Sequence, residues 1–167
     1  MVDPDQVPEG MTIHDYAAGL FKMGDGTIAG ARSYLADLKE HKNIKNVIFV
    51  STCSNYGITK DQELVNEEHE LKPLSPYAKA KVKIEKYLLN KKSQFYSPTV
   101  LRFATAFGYS PRMRFDLTIN HFCYSMFKDK EIEVYDPNTW RPYCHVKDFS
   151  RLIIKILTSE RDKVDKK

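Results

Sequence analysis

The chain has 167 residues, of which 42% are hydrophobic, and a net charge of +4. This length predicts one domain with a hydrophobic core. No apolar run approaches membrane-spanning length, and the start MVDPDQVPEG lacks the regions of a signal peptide. We therefore expect a cytoplasmic protein with no membrane partner. Its basic residues are scattered and do not form a stripe with aromatic residues, so nucleic acid is not an expected partner either.

The predicted elements alternate between helices and strands. In chain order they are a helix over 27–42, a strand over 47–51, a polar loop over 61–74, a helix over 76–90, a strand over 99–103, a helix over 116–128, a strand over 132–135 and a helix over 146–157. This alternation, with short apolar strands, predicts an α/β fold with a parallel sheet covered by helices.

The cysteines give no sign of a cross-linked or metal-bound protein. There are three, Cys53, Cys123 and Cys144, and they are widely spaced with no Cys-x-x-Cys pairing. We interpret them as reduced thiols in a reducing compartment. The five histidines show no metal-ligand spacing either, so no metal is expected.

One spacing is typical of a catalytic pair on a helix. Ten tyrosines occur, and five have a lysine four residues later, so the spacing alone has little specificity. Only Tyr77 begins a predicted helix, has the small neighbours Ala78 and Ala80, and follows a strand that ends in hydroxyl side chains. Tyr77 and Lys81 are therefore the candidates. The alternative is a helix-face tyrosine beside a solvated lysine.

The chemistry of this pair suits proton transfer. Residues at i and i+4 share a helix face, so we expect the ammonium of Lys81 beside the phenol of Tyr77. A nearby cation lowers the pKa of a phenol from about 10, which would let Tyr77 exchange a proton near neutral pH. A hydroxyl from the loop 51–54 could bond the same substrate oxygen. Such groups move a proton on and off a carbinol.

Four segments carry a resemblance to a known family. They are, in chain order, IKNVIFVSTCSNYG, SPYAKAKVKIEKYL, SPTVLRFATAFGYSPRMRFDLTINHF and WRPYCHVKDFSRLI. They resemble the active-site strand and loop, the Tyr-x-x-x-Lys helix, the strand and loop entering the sugar-nucleotide pocket, and the segment with the diphosphate-binding arginine. The family is that of the extended short-chain dehydrogenases/reductases, in particular the NAD-dependent sugar-nucleotide epimerase/dehydratase branch. The resemblance covers about residues 45–157.

The resemblance implies a Rossmann-like parallel sheet with flanking helices, incomplete at the N-terminal side. It also implies NAD or NADP as the cofactor and a nucleotide-diphosphate sugar as the substrate. Tyr77, Lys81 and Thr52 match the family's catalytic positions, and Tyr77 and Lys81 would also contact the cofactor. Thr52, Asn120 and Arg141 would contact the substrate.

Three later residues have simpler alternatives. The guanidinium of Arg141 suits phosphate oxygens, but it could instead be a surface side chain packed on Trp140. His145 and Asp148 match the family's His-Val-x-Asp run, and we expect them to be structural.

No glycine-rich phosphate loop is recognised. The glycine run over 24–30 follows a poor strand and lies close before the active-site strand, so it is rejected as that loop. We therefore expect a single partial Rossmann-like domain over 1–167, with an atypical N-terminal segment over 1–26, substrate-side elements over 104–148 and a disordered tail over 159–167. Tight binding of NAD by this chain alone is not expected. We expect instead a homodimer, or a partner chain that completes the sheet.

Two functions remain open. The first is an NAD(P)-dependent sugar-nucleotide epimerase or reductase, in a truncated form, with Tyr77 as acid and base. The second is an inactive relic that binds a sugar nucleotide or a partner protein. The family's 4,6-dehydratases usually have Asp-Glu after the active-site threonine, whereas this chain has Cys53 and Ser54, so dehydratase activity is not expected. Cys53 itself is interpreted as a small buried thiol in preference to a nucleophile.

Overall fold

The structure, a computed structural model, describes residues 46–59, 64–90 and 97–164. The predicted helix over 27–42 and the glycine run over 24–30 lie outside the described residues. The described elements are, in chain order, β1 (Asn46–Thr52), a 3₁₀ turn (Cys53–Tyr56), α1 (Pro76–Asn90), β2 (Ser97–Phe103), β3 (Thr105–Phe107), α2 (Thr118–Lys128), β4 (Tyr143–His145), α3 (Val146–Leu157) and α4 (Arg161–Val164).

The strands pair in parallel, as the alternation of elements predicts. β1 pairs with β2 over its whole length, from Asn46 opposite Ser97 to Thr52 opposite Phe103. β3 pairs with β4 in a second, shorter ladder. Helices flank these strands, so the predicted α/β class with parallel strands is confirmed. Because the strands of each pair are parallel, their carboxyl ends lie at one edge of the sheet, where ligands bind in open α/β folds.

The first strand and helix form the core beneath this edge. Alternate residues of β1 are buried, among them Val47 and Phe49. α1 begins where the sequence predicts, because the Ser75 hydroxyl accepts a hydrogen bond from the Ala78 N–H at 3.1 Å and Pro76 occupies the first turn. The buried face of α1 then packs on β1, and this packing fixes the height of Tyr77 and Lys81 over the strand.

α3 is attached to both ends of the sheet. The Asn46 amide at the start of β1 donates to the carbonyls of Ile156 and Leu157, at 3.3 and 3.2 Å. At the other end of β2, the ring of Phe103 stacks on that of Phe149 with their centroids 3.8 Å apart. α3 therefore runs along the strands from their carboxyl end to their amino end.

Two expectations differ from the structure. The segment 132–135 is not a strand, although its residues have β propensity, because it finds no partner strand among the described residues and Val134 and Tyr135 are 54% and 75% exposed. The expected disordered tail contains α4. There the Thr99 hydroxyl donates to the Val164 carbonyl at 2.9 Å and Val164 is buried, so contact with β2 orders these residues.

Candidate active site

Lys81 connects α1 to the carboxyl end of β1. Its ammonium donates to the carbonyl of Val50 at 2.8 Å and lies 4.7 Å from the centre of the Phe49 ring. The same ammonium is 5.6 Å from the centre of the Tyr77 ring. The structure therefore brings the predicted pair together on one helix face, directly over the strand end.

Tyr77 lies at the open side of this arrangement. Its side chain is 59% exposed, while the next residue, Ala78, is fully buried against the core. Partial burial and the nearby Cys53 thiol raise the pKa of Tyr77 above its usual value of 10.0. The pKa of Tyr77 is therefore not lowered as the sequence predicts, because burial is the largest cause of its shift.

The ammonium of Lys81 is itself perturbed. Partial burial lowers its pKa from the usual 10.5, and the Glu85 carboxylate one turn further along α1 opposes that shift. An ammonium with some of its hydration removed has donors available for a ligand.

Thr52 has two roles available at the end of β1. Its backbone is extended and its hydroxyl oxygen accepts a hydrogen bond from the Ser54 N–H at 3.2 Å, which caps the 3₁₀ turn. A hydroxyl that accepts one bond can still donate its proton. Capping holds this oxygen in place, so its O–H is available to a substrate oxygen.

The turn after Thr52 closes tightly on a second loop. Gly57 follows the turn with a φ of +75°, and a Cβ at this position would lie 2.2 Å from the Lys72 carbonyl oxygen. Only glycine has both the backbone freedom and the space required here. The close approach of Gly57 to Lys72 fixes the end of the loop against the segment that leads into α1.

Sequence reasoning missed a buried ionic cluster beneath the loop. Glu85 is 1% exposed, and one of its carboxylate oxygens accepts two hydrogen bonds from Arg102 of β2, at 3.1 and 2.9 Å. The other oxygen accepts from the Ser51 hydroxyl at 2.5 Å and the Asn55 amide at 2.6 Å. Arg102 also donates to the Tyr56 hydroxyl at 2.9 Å. One local signal existed, since Glu85 follows Lys81 by four residues and falls among the apolar positions of α1.

Arg141 lies near the same loop. Its side chain is exposed, yet its charge acts on the Cys53 thiol. Burial raises the pKa of Cys53 above 9.0, and the positive charge of Arg141 offsets part of that rise. Cys53 also acts on the pKa of Tyr77, so Arg141 and Tyr77 are both close enough to Cys53 to interact with it electrostatically.

Asn120 is buried between the loop after β3 and α2. It is 8% exposed; its side-chain oxygen accepts from the Gly108 N–H at 3.0 Å, and its amide donates to the Arg114 carbonyl at 3.1 Å. Asn120 therefore attaches the loop after β3 to α2, and its contact with substrate stays a prediction.

His145 has the structural role that the sequence predicts. Its Nδ1 accepts a hydrogen bond from the Lys147 N–H at 3.1 Å, which caps α3. The ring also lies against Gly108, where φ is +110° and a Cβ would be 2.4 Å from the ring nitrogen Nε2. Asp148, the second residue of this motif, forms an ion pair with Arg151.

The residues present fit one end of a nicotinamide dinucleotide. Lys81, Tyr77 and Thr52 offer an ammonium and two hydroxyls at the carboxyl edge of parallel strands, which suits a ribose and a reacting carbinol. The residues that would hold the pyrophosphate are not among those described. Within the described ranges, no group of three or more His, Cys, Asp or Glu side chains could hold a metal ion. No helix in those ranges is both long and apolar enough to cross a bilayer.

Parallel strands flanked by helices, together with similar solved structures, place the chain in the Rossmann-like class of α/β folds. The chain belongs to the NAD dependent epimerase/dehydratase family, whose model matches residues 24–167. A Bacillus subtilis protein named as an uncharacterized UDP-glucose epimerase, YtcB, is 31% identical over 150 residues, which is 89% of this chain and 44% of the relative. Protein CapI of Staphylococcus aureus is 31% identical over 136 residues, or 80% of this chain and 40% of that protein.

Solved structures have the same fold. A UDP-glucuronic acid 4-epimerase from Bacillus cereus, in complex with UDP-glucuronic acid and NAD, is similar with a TM-score of 0.64 and 26% identity, over 82% of this chain and 43% of that one. A dTDP-glucose 4,6-dehydratase from Bacillus anthracis, in complex with NAD, has a TM-score of 0.66 and 25% identity, over 80% of this chain and 43% of that one. The chain therefore spans less than half the length of these relatives.

Proposed function

We propose that this chain carries the proton-transferring part of an NAD(P)-dependent sugar-nucleotide epimerase or reductase. The observation that carries the proposal is the position of Lys81, which bonds the Val50 carbonyl while facing the Tyr77 ring. This places the pair at the strand end that also presents the Thr52 hydroxyl. Membership of an NAD-dependent family supports the cofactor.

In the proposed reaction, Tyr77 exchanges one proton with a sugar oxygen. NAD, when bound, supplies hydride acceptance and donation at the carbon that bears this oxygen. During oxidation the Tyr77 phenolate takes the hydroxyl proton and becomes the phenol, and during reduction the phenol returns that proton to the carbonyl oxygen. The Thr52 hydroxyl donates a hydrogen bond to the same oxygen and holds it in line. If the carbonyl form is reduced on its opposite face, the product is the epimer.

Lys81 and Arg141 have separate binding roles in this proposal. The Lys81 ammonium retains donors for the ribose hydroxyls of the cofactor. Arg141 is exposed at the same edge and offers a charged, planar group to the substrate diphosphate. Its charge acts on Cys53, which supports a position close to the reacting groups.

The decisive experiment compares two tyrosine variants of a version of the chain that is completed with an N-terminal dinucleotide-binding segment. Tyr77→Phe should lower the interconversion of UDP-glucose and its 4-epimer, with NAD added, by about 100- to 10,000-fold, because it removes an acid–base group. Tyr124→Phe is the matched control, since Tyr124 is similarly placed one turn before a lysine but lies on α2. Both variants should fold as the parent does by circular dichroism. Unchanged turnover in Tyr77→Phe would refute the assignment.

A second candidate function is binding of a sugar nucleotide without turnover. It is favoured by the burial that raises the pKa of Tyr77, because this opposes formation of the phenolate that oxidation requires. Calorimetry with UDP-glucose, in the presence and absence of NAD, separates the two. Heat of binding without any epimer formed would support the second candidate, whereas turnover would exclude it.

A further inference from the structure

The buried Glu85 cluster joins the active-site loop to the catalytic helix. Its carboxylate oxygen Oε1 accepts from Ser51 at 2.5 Å and from Asn55 at 2.6 Å, and these two residues bracket Thr52, Cys53 and Ser54. The amide of Asn55 also donates to the Ser51 hydroxyl at 3.0 Å. A single oxygen atom of α1 thus holds both ends of the loop.

The second oxygen, Oε2, accepts mainly from Arg102. Nε and Nη2 of that residue donate to it at 3.1 and 2.9 Å, and Nε also lies 3.4 Å from Oε1, so a cation balances the buried charge. Stability alone does not require this pair, because apolar side chains of similar volume often fill such a site as well or better. Removing one partner alone would leave an uncompensated buried charge, which is costly.

We infer that Glu85 is a positioning residue whose oxygen Oε1 sets the loop over 51–55 against α1, and thereby the Thr52 hydroxyl relative to the Tyr77 phenol. This rests on the proposed function, in which both groups act on one substrate oxygen. The geometry supports it because Ser51 immediately precedes Thr52, and Glu85 lies two turns after Tyr77 on the same helix. Thr52 and Tyr77 therefore cannot move far from each other while the Glu85 cluster is intact.

The test uses the Cys53 thiol, which lies inside the loop and is partly buried, as a reporter. In a Cys123→Ser, Cys144→Ala background it is the only thiol, and its alkylation by iodoacetamide measures how often the loop opens. Rates are taken over a pH series, so that changes in thiolate fraction are separated from changes in opening. No turnover is needed, so inactivity of the chain would count against the proposed function without affecting this result.

Two double variants isolate the acceptor oxygen. Glu85→Gln with Arg102→Met removes both charges but keeps an oxygen for Ser51 and Asn55. Glu85→Leu with Arg102→Met removes the charges and the oxygen together. We expect Cys53 in the first variant to be alkylated at about the parent rate. In the second it should be alkylated at least about tenfold faster, because the hydrogen bonds that hold the loop closed are lost. Thermal unfolding should not rank the variants in this way, because the apolar pair can be as stable as the polar one.

Two further variants complete the test. Ser51→Ala removes one donor without leaving a buried charge unpaired, and it should raise the alkylation rate about threefold or more. If the leucine double variant does not fold, this variant alone tests the inference. Glu160→Gln, which alters an exposed ion pair with Lys163, is the control and should leave the rate unchanged. Parent-like rates in both Ser51→Ala and the leucine double variant would overturn the inference, as would equal acceleration in the glutamine and leucine double variants.

Discussion

Lys81 and Glu85, one turn apart on α1, bond to consecutive residues of β1. The Lys81 ammonium donates to the Val50 carbonyl at 2.8 Å, and the Glu85 carboxylate accepts from the Ser51 hydroxyl at 2.5 Å. The helix is thus attached to the strand through opposite charges at the point where the active-site loop begins. This attachment limits both translation of α1 along the strand and rotation of the face that carries Tyr77.

The pH dependence of substrate oxidation should follow the ionisation of Tyr77 and Lys81, whose pKa values are both shifted. The pKa of Tyr77 is raised and that of Lys81 is lowered. Oxidation requires the phenolate, so kcat/KM for UDP-glucose should rise with pH between about 7 and 9, where Tyr77 is still mostly protonated. At higher pH it should fall as Lys81 loses its charge. Initial rates over a pH series measure this dependence.

Lys81→Arg is the matched variant for the alkaline limb. A guanidinium stays charged across the whole range, so the alkaline fall should disappear while the rise through Tyr77 persists. A parent profile that is flat between about pH 7 and 9 would contradict the role given to Tyr77. A fall that survives Lys81→Arg would contradict the role given to Lys81.

Arg141→Met should make the Cys53 thiol less acidic. Burial raises the pKa of Cys53 and Arg141 opposes that rise, so removing the guanidinium should raise the pKa further. With Cys123 and Cys144 replaced, alkylation of Cys53 at a fixed pH should be slower, and its pH profile should move to higher pH. Arg112→Met, in the exposed loop before α2, is the control. An unmoved profile in Arg141→Met would remove Arg141 from the site.

Spacing alone could not select the candidate catalytic pair. Lys81 lies 5.6 Å from the Tyr77 ring centre, and Lys128 lies 5.7 Å from that of Tyr124, so two matches of the pattern have almost the same geometry. What distinguishes the first is the bond from Lys81 to the end of β1. The strand end with its hydroxyl side chains is visible in the sequence, and it is the feature by which Tyr77 and Lys81 are selected as candidates.

The elements that sequence reasoning missed lack a local signal. β3 and β4 have three residues each, too few to show an alternating pattern. Their pairing depends on contacts between distant segments, such as Thr105 opposite Tyr143. The Glu85 and Arg102 pair likewise joins a helix to the next strand. The long elements β1, α1 and α3 were predicted because their apolar periodicity is strong.

Gly108→Ala should destabilise the protein by about 1 to 3 kcal/mol, because φ is +110° and the new Cβ would meet the His145 ring. His145→Ala alone should cost about 1 kcal/mol through loss of the α3 cap. The double variant should cost less than the sum, since removing the ring relieves the clash. Urea denaturation of the four proteins in the cycle measures this coupling. Additive losses would show that backbone strain, and not the ring, excludes alanine.

The chain should not act as a 4,6-dehydratase, although a dTDP-glucose 4,6-dehydratase has a similar fold. Elimination of water from a sugar needs an acid and a base beside the oxidised carbon, and the residues after Thr52 are Cys53 and Ser54. The raised pKa of Cys53 keeps its thiol neutral near pH 7, and a serine hydroxyl is a weaker acid still. Mass spectrometry after incubation with dTDP-glucose and NAD should therefore show no product that has lost water. The result is informative when the same preparation epimerises UDP-glucose, because the oxidation step is then intact. A 4-keto-6-deoxy product would mean that the acid and the base come from side chains other than these two.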